Sequence, residues 1–132
     1  MRKLLIQGII AGILSAIACI IYQNVYQEML FVDFGKMINS GSIIGACLIS
    51  CLLMAVGYWL IVEKLGKAKL KGWLNIAIML FSFISILGPI SVSLPLDIEF
   101  PEMFIGLSIP MHFFPPMVFF GLAPFFDSKP TN

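Results

Sequence analysis

Four stretches of this chain, residues 4–27, 37–62, 72–96 and 103–126, contain no Asp, Glu, Lys or Arg, and each runs for 24 to 26 residues. A helix needs about 20 apolar residues to cross the hydrocarbon of a bilayer. In lipid every backbone amide must find its partner within the segment, so runs of this kind fold as helices. Composition argues against a soluble alternative. Of the 132 residues, 60% are hydrophobic and 11% charged, against about 25% charged in an ordinary soluble domain. A chain this small has too much surface for its volume to hide that much apolar area from water. The sequence therefore predicts an all-α membrane protein: a compact bundle of four transmembrane helices, about 4–27, 38–62, 72–93 and 103–126, in a single domain covering residues 1–132.

The basic residues set the expected orientation. Arg2, Lys3, Lys64, Lys67, Lys69, Lys71 and Lys129 fall at the N-terminus, the second loop and the C-terminus, and only Lys36 falls on the other side. Positive charge near helix ends stays in the cytoplasm, so both termini are expected to be cytoplasmic. Five of the seven acids, Glu28, Asp33, Asp97, Glu99 and Glu102, take the outer side. The start MRKLLIQGIIAGILSAIAC has the basic and apolar regions of a signal peptide. However, the apolar run continues through IIYQNVY, and Ala16 stands where a lipoprotein cleavage box carries Leu, so residues 1–27 are read as the first helix. The Lys64 to Lys71 cluster fixes topology and has the charge to hold anionic lipid.

Helix one carries a stripe of small residues, Gly8, Gly12, Ala16 and Cys19, at helical spacing. Such stripes let helix backbones approach closely, which matters where lipid competes equally for apolar side chains. Gln23 and Gln27 continue the stripe outward, so the outer end of the interior is expected to be polar or open to water. Helix two offers two packing faces, Gly41 with Gly45 or Cys47 with Cys51. The first loop, EMLFVDFGKMINSGS, is expected at the outer interface with Leu30, Phe34, Met37 and Ile38 facing lipid. In the third loop Asp97 and Glu99 alternate with apolar residues, and with Glu102 they have the ligand type for a divalent cation, although acids in a wet loop more commonly serve as solvated charge.

The segment IPMHFFPPMVFF holds the single histidine of the chain, His112, and a proline pair, Pro115 and Pro116. At 1.5 Å per residue, with outer boundaries near Glu28, Ser42, Leu94 and Glu102, His112 lies about 15 Å inside. Cys19, Cys51 and Ser85 come to about 13 to 14 Å on the same count. One residue from each helix thus falls in one layer, a candidate intramembrane polar layer or ligand pocket. An ionisable residue at such depth is a functional candidate by default. Pro115 and Pro116 are expected to kink the fourth helix and free a carbonyl near Met111 and His112 for the imidazole.

Cys19, Cys51 and His112 are the ligand types of zinc or copper sites, but they come from three helices and no spacing requires a metal; none is assigned. The membrane spans carry no carboxylate partner for a proton-coupled His112, no C-x-x-C pair, no second histidine for a haem, no phosphate-binding glycine loop and no Ser-His-Asp set. Neither an enzyme nor a cofactor is expected. The expected partners are the lipid bilayer and another membrane protein or a second copy of the chain, with no nucleic acid.

The small-residue first helix, the lysine-rich inner hairpin, FSFISILGP late in helix three and MH inside helix four resemble a group of small bacterial four-helix integral membrane proteins catalogued only as a domain of unknown function. The resemblance implies a bacterial inner-membrane location with both termini inside, and it gives weight to Pro89 and His112. It implies no activity, and the cysteines and the double proline have no counterpart in that pattern. Two functions follow as expectations. The first is a non-enzymatic membrane component that binds a partner or serves as structure, with a filled interior. The second is a small-molecule or lipid handler with a cavity near His112, opening outward past Gln23, Gln27, Phe113, Phe114, Phe119 and Phe120.

Overall fold

The computed structural model describes residues 1–93 and 100–126, and among them the chain is helical with no strand. Asp97 and Glu99 of the acidic loop, and Lys129, lie outside the described residues. Helix α1, Arg2–Leu30, contains no proline and ends where Phe31 turns left-handed (φ 54°, ψ 39°) and returns its N–H to the carbonyl of Gln27. That is a helix stop normally reserved for glycine. Helix α2, Ser40–Tyr58, starts under an Asn39 cap whose Oδ1 accepts from the Ser42 amide at 2.8 Å. It continues as a π-helical segment, Trp59–Lys64, on which the Lys64 ammonium lies 5.5 Å from the Trp59 ring centroid. Helix α3, Lys71–Ser85, is separated by Ile86 from the short α4, Leu87–Ser91. Pro89 explains the break, because it lacks the amide that Ser85's carbonyl would accept and its ring crowds that carbonyl. Helix α5, Glu102–Phe126, runs unbroken although Pro110, Pro115, Pro116 and Pro124 lie inside it.

Among the described residues, four helical stretches are long and apolar enough to cross a membrane: Arg2–Leu30, Ser40–Lys64, Lys71–Ser91 and Glu102–Phe126. They pack unequally. The buried face of α1 is Gln7, Gly8, Ala11, Gly12, Ser15, Ala16, Cys19 and Gln23, so the small-residue stripe does face the interior. A β-carbon added at Gly12 would stand 2.9 Å from the Cα of Leu48, and one at Gly8 would stand 3.0 Å from the Ala55 side chain. The backbones of α1 and α2 are therefore as close as glycine alone allows. Helix α2 meets this stripe with Cys47 and Cys51, both buried, whereas Gly45 has open space around it. The cysteine face is thus the packing face and the glycine face is not.

The core runs the length of α1, α2 and α5 in three clusters. One joins Ala11, Cys51, Ala55, Tyr58 and Phe119. A middle one joins Ala16, Cys19, Ile43 and Cys47. The third joins Val32 and Phe34 to Phe104 and Leu107. The last corrects the expectation for the first loop. Phe34 does not face outward; it is fully buried, with its ring 5.5 Å from that of Phe104. The loop thus folds back over one end of the bundle, where the Phe34 ring meets that of Phe104 edge-on. Helix α3 stands apart. Ser82 is its one buried residue, and Phe83 leans on Phe113 of α5 at 4.8 Å between ring centroids.

Candidate functional site: a cavity beside His112

Prolines set the chemistry of α5. Each proline inside a helix leaves the carbonyl four residues earlier without its amide donor, here Gly106, Met111, His112 and Phe120. Helix α1 supplies two of the missing donors. Tyr22 donates its hydroxyl to the Gly106 carbonyl at 3.1 Å, and Cys19 donates its thiol to the Met111 carbonyl at 3.8 Å. Further bonds extend the same seam. Tyr26 donates to Met103 at 2.8 Å, Gln7 to Phe119 at 2.9 Å, and Cys51 of α2 to Pro115 at 3.8 Å. These side-chain-to-backbone bonds run antiparallel along α1 and α5; those of Tyr22 and Cys19 compensate for Pro110 and Pro115, and α5 stays helical through all four prolines. The carbonyl of His112 is in a different position. The residues three and four positions on are both proline, Pro115 and Pro116, so neither can donate to it.

Beside this seam lies a cavity of about 560 Å³, walled by α1, α2, α3 and α5. Its polar lining is Cys19, Cys47, Ser50, Ser82, Ser85 and His112; Met54, Met111 and the proline pair add apolar wall. Three of the four layer residues predicted from depth, Cys19, Ser85 and His112, therefore share one cavity. Cys51 does not line it. Its thiol lies 3.7 Å from Ser15 Oγ in the packed core, and Cys47, one turn earlier, takes its place. The Cys47 thiol lies 3.8 Å from that of Cys19. Among the described residues no group of three or more His, Cys, Asp or Glu side chains comes together as a metal cluster.

The imidazole does not serve the carbonyls freed by proline. Its Nδ1 lies 2.8 Å from the carbonyl of Ser108, one turn back on its own helix. A carbonyl only accepts, so Nδ1 carries the hydrogen, and in the neutral ring Nε2 is then the acceptor. Ser50 donates to the carbonyl of Cys47 at 3.1 Å, Ser82 to that of Ile78 at 3.1 Å, and Ser85 to that of Ser82 at 2.7 Å.

The cavity opens sideways, not at the bundle end. Leu53 of α2 and Phe81 of α3 stand at its rim and are 67% and 72% exposed, because α3 leaves a gap against α2. The outward-opening cavity expected past Gln23, Gln27 and the phenylalanines does not form. Gln23 is buried and donates to the carbonyl of Ile38 at 3.0 Å, fastening the plugging loop. Phe113 packs on Phe83, Phe114 on Tyr22 and Phe119 on Tyr58. Sequence reasoning missed Tyr22, Tyr26, Gln7 and Cys47. For Tyr22 the available signal was Pro110, whose freed Gly106 carbonyl calls for a donor on a neighbouring helix; Tyr26, Gln7 and Cys47 bond to groups that no proline frees. A comparison with protein-family models, curated proteins and solved structures finds no match to the chain.

Proposed function

We propose that this chain is a non-enzymatic integral membrane protein that holds a small apolar molecule in the cavity beside His112, reached sideways from the bilayer. The cavity is the observation that carries the reading. Its volume, about 560 Å³, falls within the roughly 300–1,000 Å³ of small-molecule sites, and it combines apolar walls with a few convergent polar atoms. Four helices apolar enough to span a bilayer, with basic residues collected at one end, support a multi-pass protein with both termini cytoplasmic. A bacterial inner membrane is the location that the resemblance in sequence implies.

A second reading, a structural or partner-binding component, is supported by the close glycine-mediated contact of α1 with α2 and by the small share of α3 that is buried. It leaves the cavity without a role, and so it ranks second. Native mass spectrometry of the protein in mild detergent, with elemental analysis of the same sample, separates the two. A stoichiometric added mass that disappears when the cavity is filled by Ser85→Phe supports the handler. A bare monomer or homo-oligomer, indifferent to that substitution, favours the scaffold.

A further inference from the structure

The cavity's polar atoms are unusual in one respect: their hydrogens are already used. His112 donates through Nδ1 to Ser108, Ser82 and Ser85 donate to carbonyls of their own helix, and so does Ser50. The Cys19 thiol donates to Met111, and the Cys47 thiol donates to Cys19. The hydrogen-bonding capacity these lining residues have left is lone pairs: Nε2 of the neutral imidazole and the oxygens of three serines. Among the described residues, those lining the cavity include no Asp, Glu, Lys or Arg.

We infer that the cavity selects an apolar molecule whose polar end is a neutral hydrogen-bond donor, a hydroxyl of the alcohol or phenol class, with His112 Nε2 as its principal acceptor. This rests on the reading of the cavity as a ligand site and names the ligand's chemistry. A carboxylate, a phosphodiester, a ketone or an ether brings only acceptors, and would face acceptors across a space too apolar for water to mediate. An ammonium brings donors, but also a charge with no counter-charge among the lining residues, and an unpaired charge in such surroundings is strongly disfavoured. A hydroxyl brings one donor and no charge. The rest of the molecule then lies along Met54, Met111 and the proline pair, where shape rather than polarity decides the fit.

The test is competitive photolabelling of the full chain in lipid nanodiscs. The probe is a diazirine-bearing long-chain alcohol, and labelled peptides are mapped by mass spectrometry. Competitors are the unlabelled alcohol, its O-methyl ether, and the acid of equal chain length. The expected result is saturable labelling of peptides containing Ser82, Ser85 or Met111, competed by the alcohol at about tenfold lower concentration than by ether or acid, as one hydrogen bond to a buried acceptor implies. In His112→Leu, with folding checked by size exclusion, the alcohol and ether should compete equally. Ser85→Ala is the milder second variant, expected to narrow the preference without abolishing it. Saturable labelling at the cavity that is indifferent to the head group, or that prefers the acid, overturns this inference and leaves the cavity reading standing. The absence of saturable labelling by any of the three overturns both.

Discussion

Cys19 of α1 and Met111 of α5 meet as thiol and carbonyl, 3.8 Å apart, at the point where Pro115 removes the helix's own donor. The pairing explains how a segment with four prolines remains one helix. An orphaned carbonyl in a water-free interior is costly, and here the neighbouring helix provides for it. A thiol is a weak donor, but Pro115 takes away the Met111 carbonyl's helical donor, so the hydrogen rather than the sulfur's bulk should matter most. Cys19→Ser is expected to keep most of the stability and Cys19→Ala to lose about 1 kcal/mol, read from unfolding in mixed micelles. Equal losses in both variants would show that packing of the sulfur dominates.

The contact between α1 and α2 can be tested at its closest point. A methyl at Gly12 would meet the Leu48 backbone at 2.9 Å, and the backbone cannot swing aside as a side chain can. Gly12→Ala is therefore expected to cost about 1–3 kcal/mol. Gly45→Ala, with nothing within 4 Å of the added carbon, should be neutral or stabilise by about 0.5–1 kcal/mol through the helix preference of alanine. Thermal unfolding of the two variants side by side decides the matter. A tolerated Gly12→Ala would mean that the helices stand further apart than described.

Phe34 seals one bundle end against Phe104 and Leu107. Phe34→Ala should cost about 3–5 kcal/mol, the usual range for a buried phenyl group. The damage should be local. Hydrogen exchange should rise over residues 31–39 and the start of α5, while the slow-exchanging amides around Ala11, Cys51 and Ala55 stay protected. A uniform rise would show that the plug is part of the global folding unit.

The four helical stretches were legible in the sequence, because absence of charge over the length of a bilayer has few alternative readings. The small-residue face of α1 was legible for the same kind of reason: Gly8, Gly12, Ala16 and Cys19 differ from every other face of that helix in size. What the sequence did not disclose was which polar atom meets which. Depth placed Cys51 beside His112, yet a helix face is about 100° wide and Cys47, one turn away on the same face, is the residue that reaches the cavity. The loop plug was missed because nothing in FVDFGKM distinguishes a phenyl group turned inward from one turned outward. That choice belongs to the space left between α1 and α5.

His112 separates structure from ligand binding most directly. Its imidazole bonds to the Ser108 carbonyl at 2.8 Å, but that carbonyl also faces the helical amide of residue 112 and is not orphaned when the ring is removed. His112 is only half buried, on the cavity side of α5. His112→Ala should therefore change stability by less than about 1 kcal/mol, since it enlarges a space that is already open and strips no buried group of its last partner. The same substitution removes the acceptor on which a hydroxyl ligand would depend, so uptake of a long-chain alcohol should fall by about tenfold or more. Measuring both on one preparation, thermal unfolding and alcohol photolabelling, gives a clear division. A loss of about 2 kcal/mol or more with labelling unchanged would make the imidazole a packing element, and the cavity's selectivity would then have to come from Ser82 and Ser85.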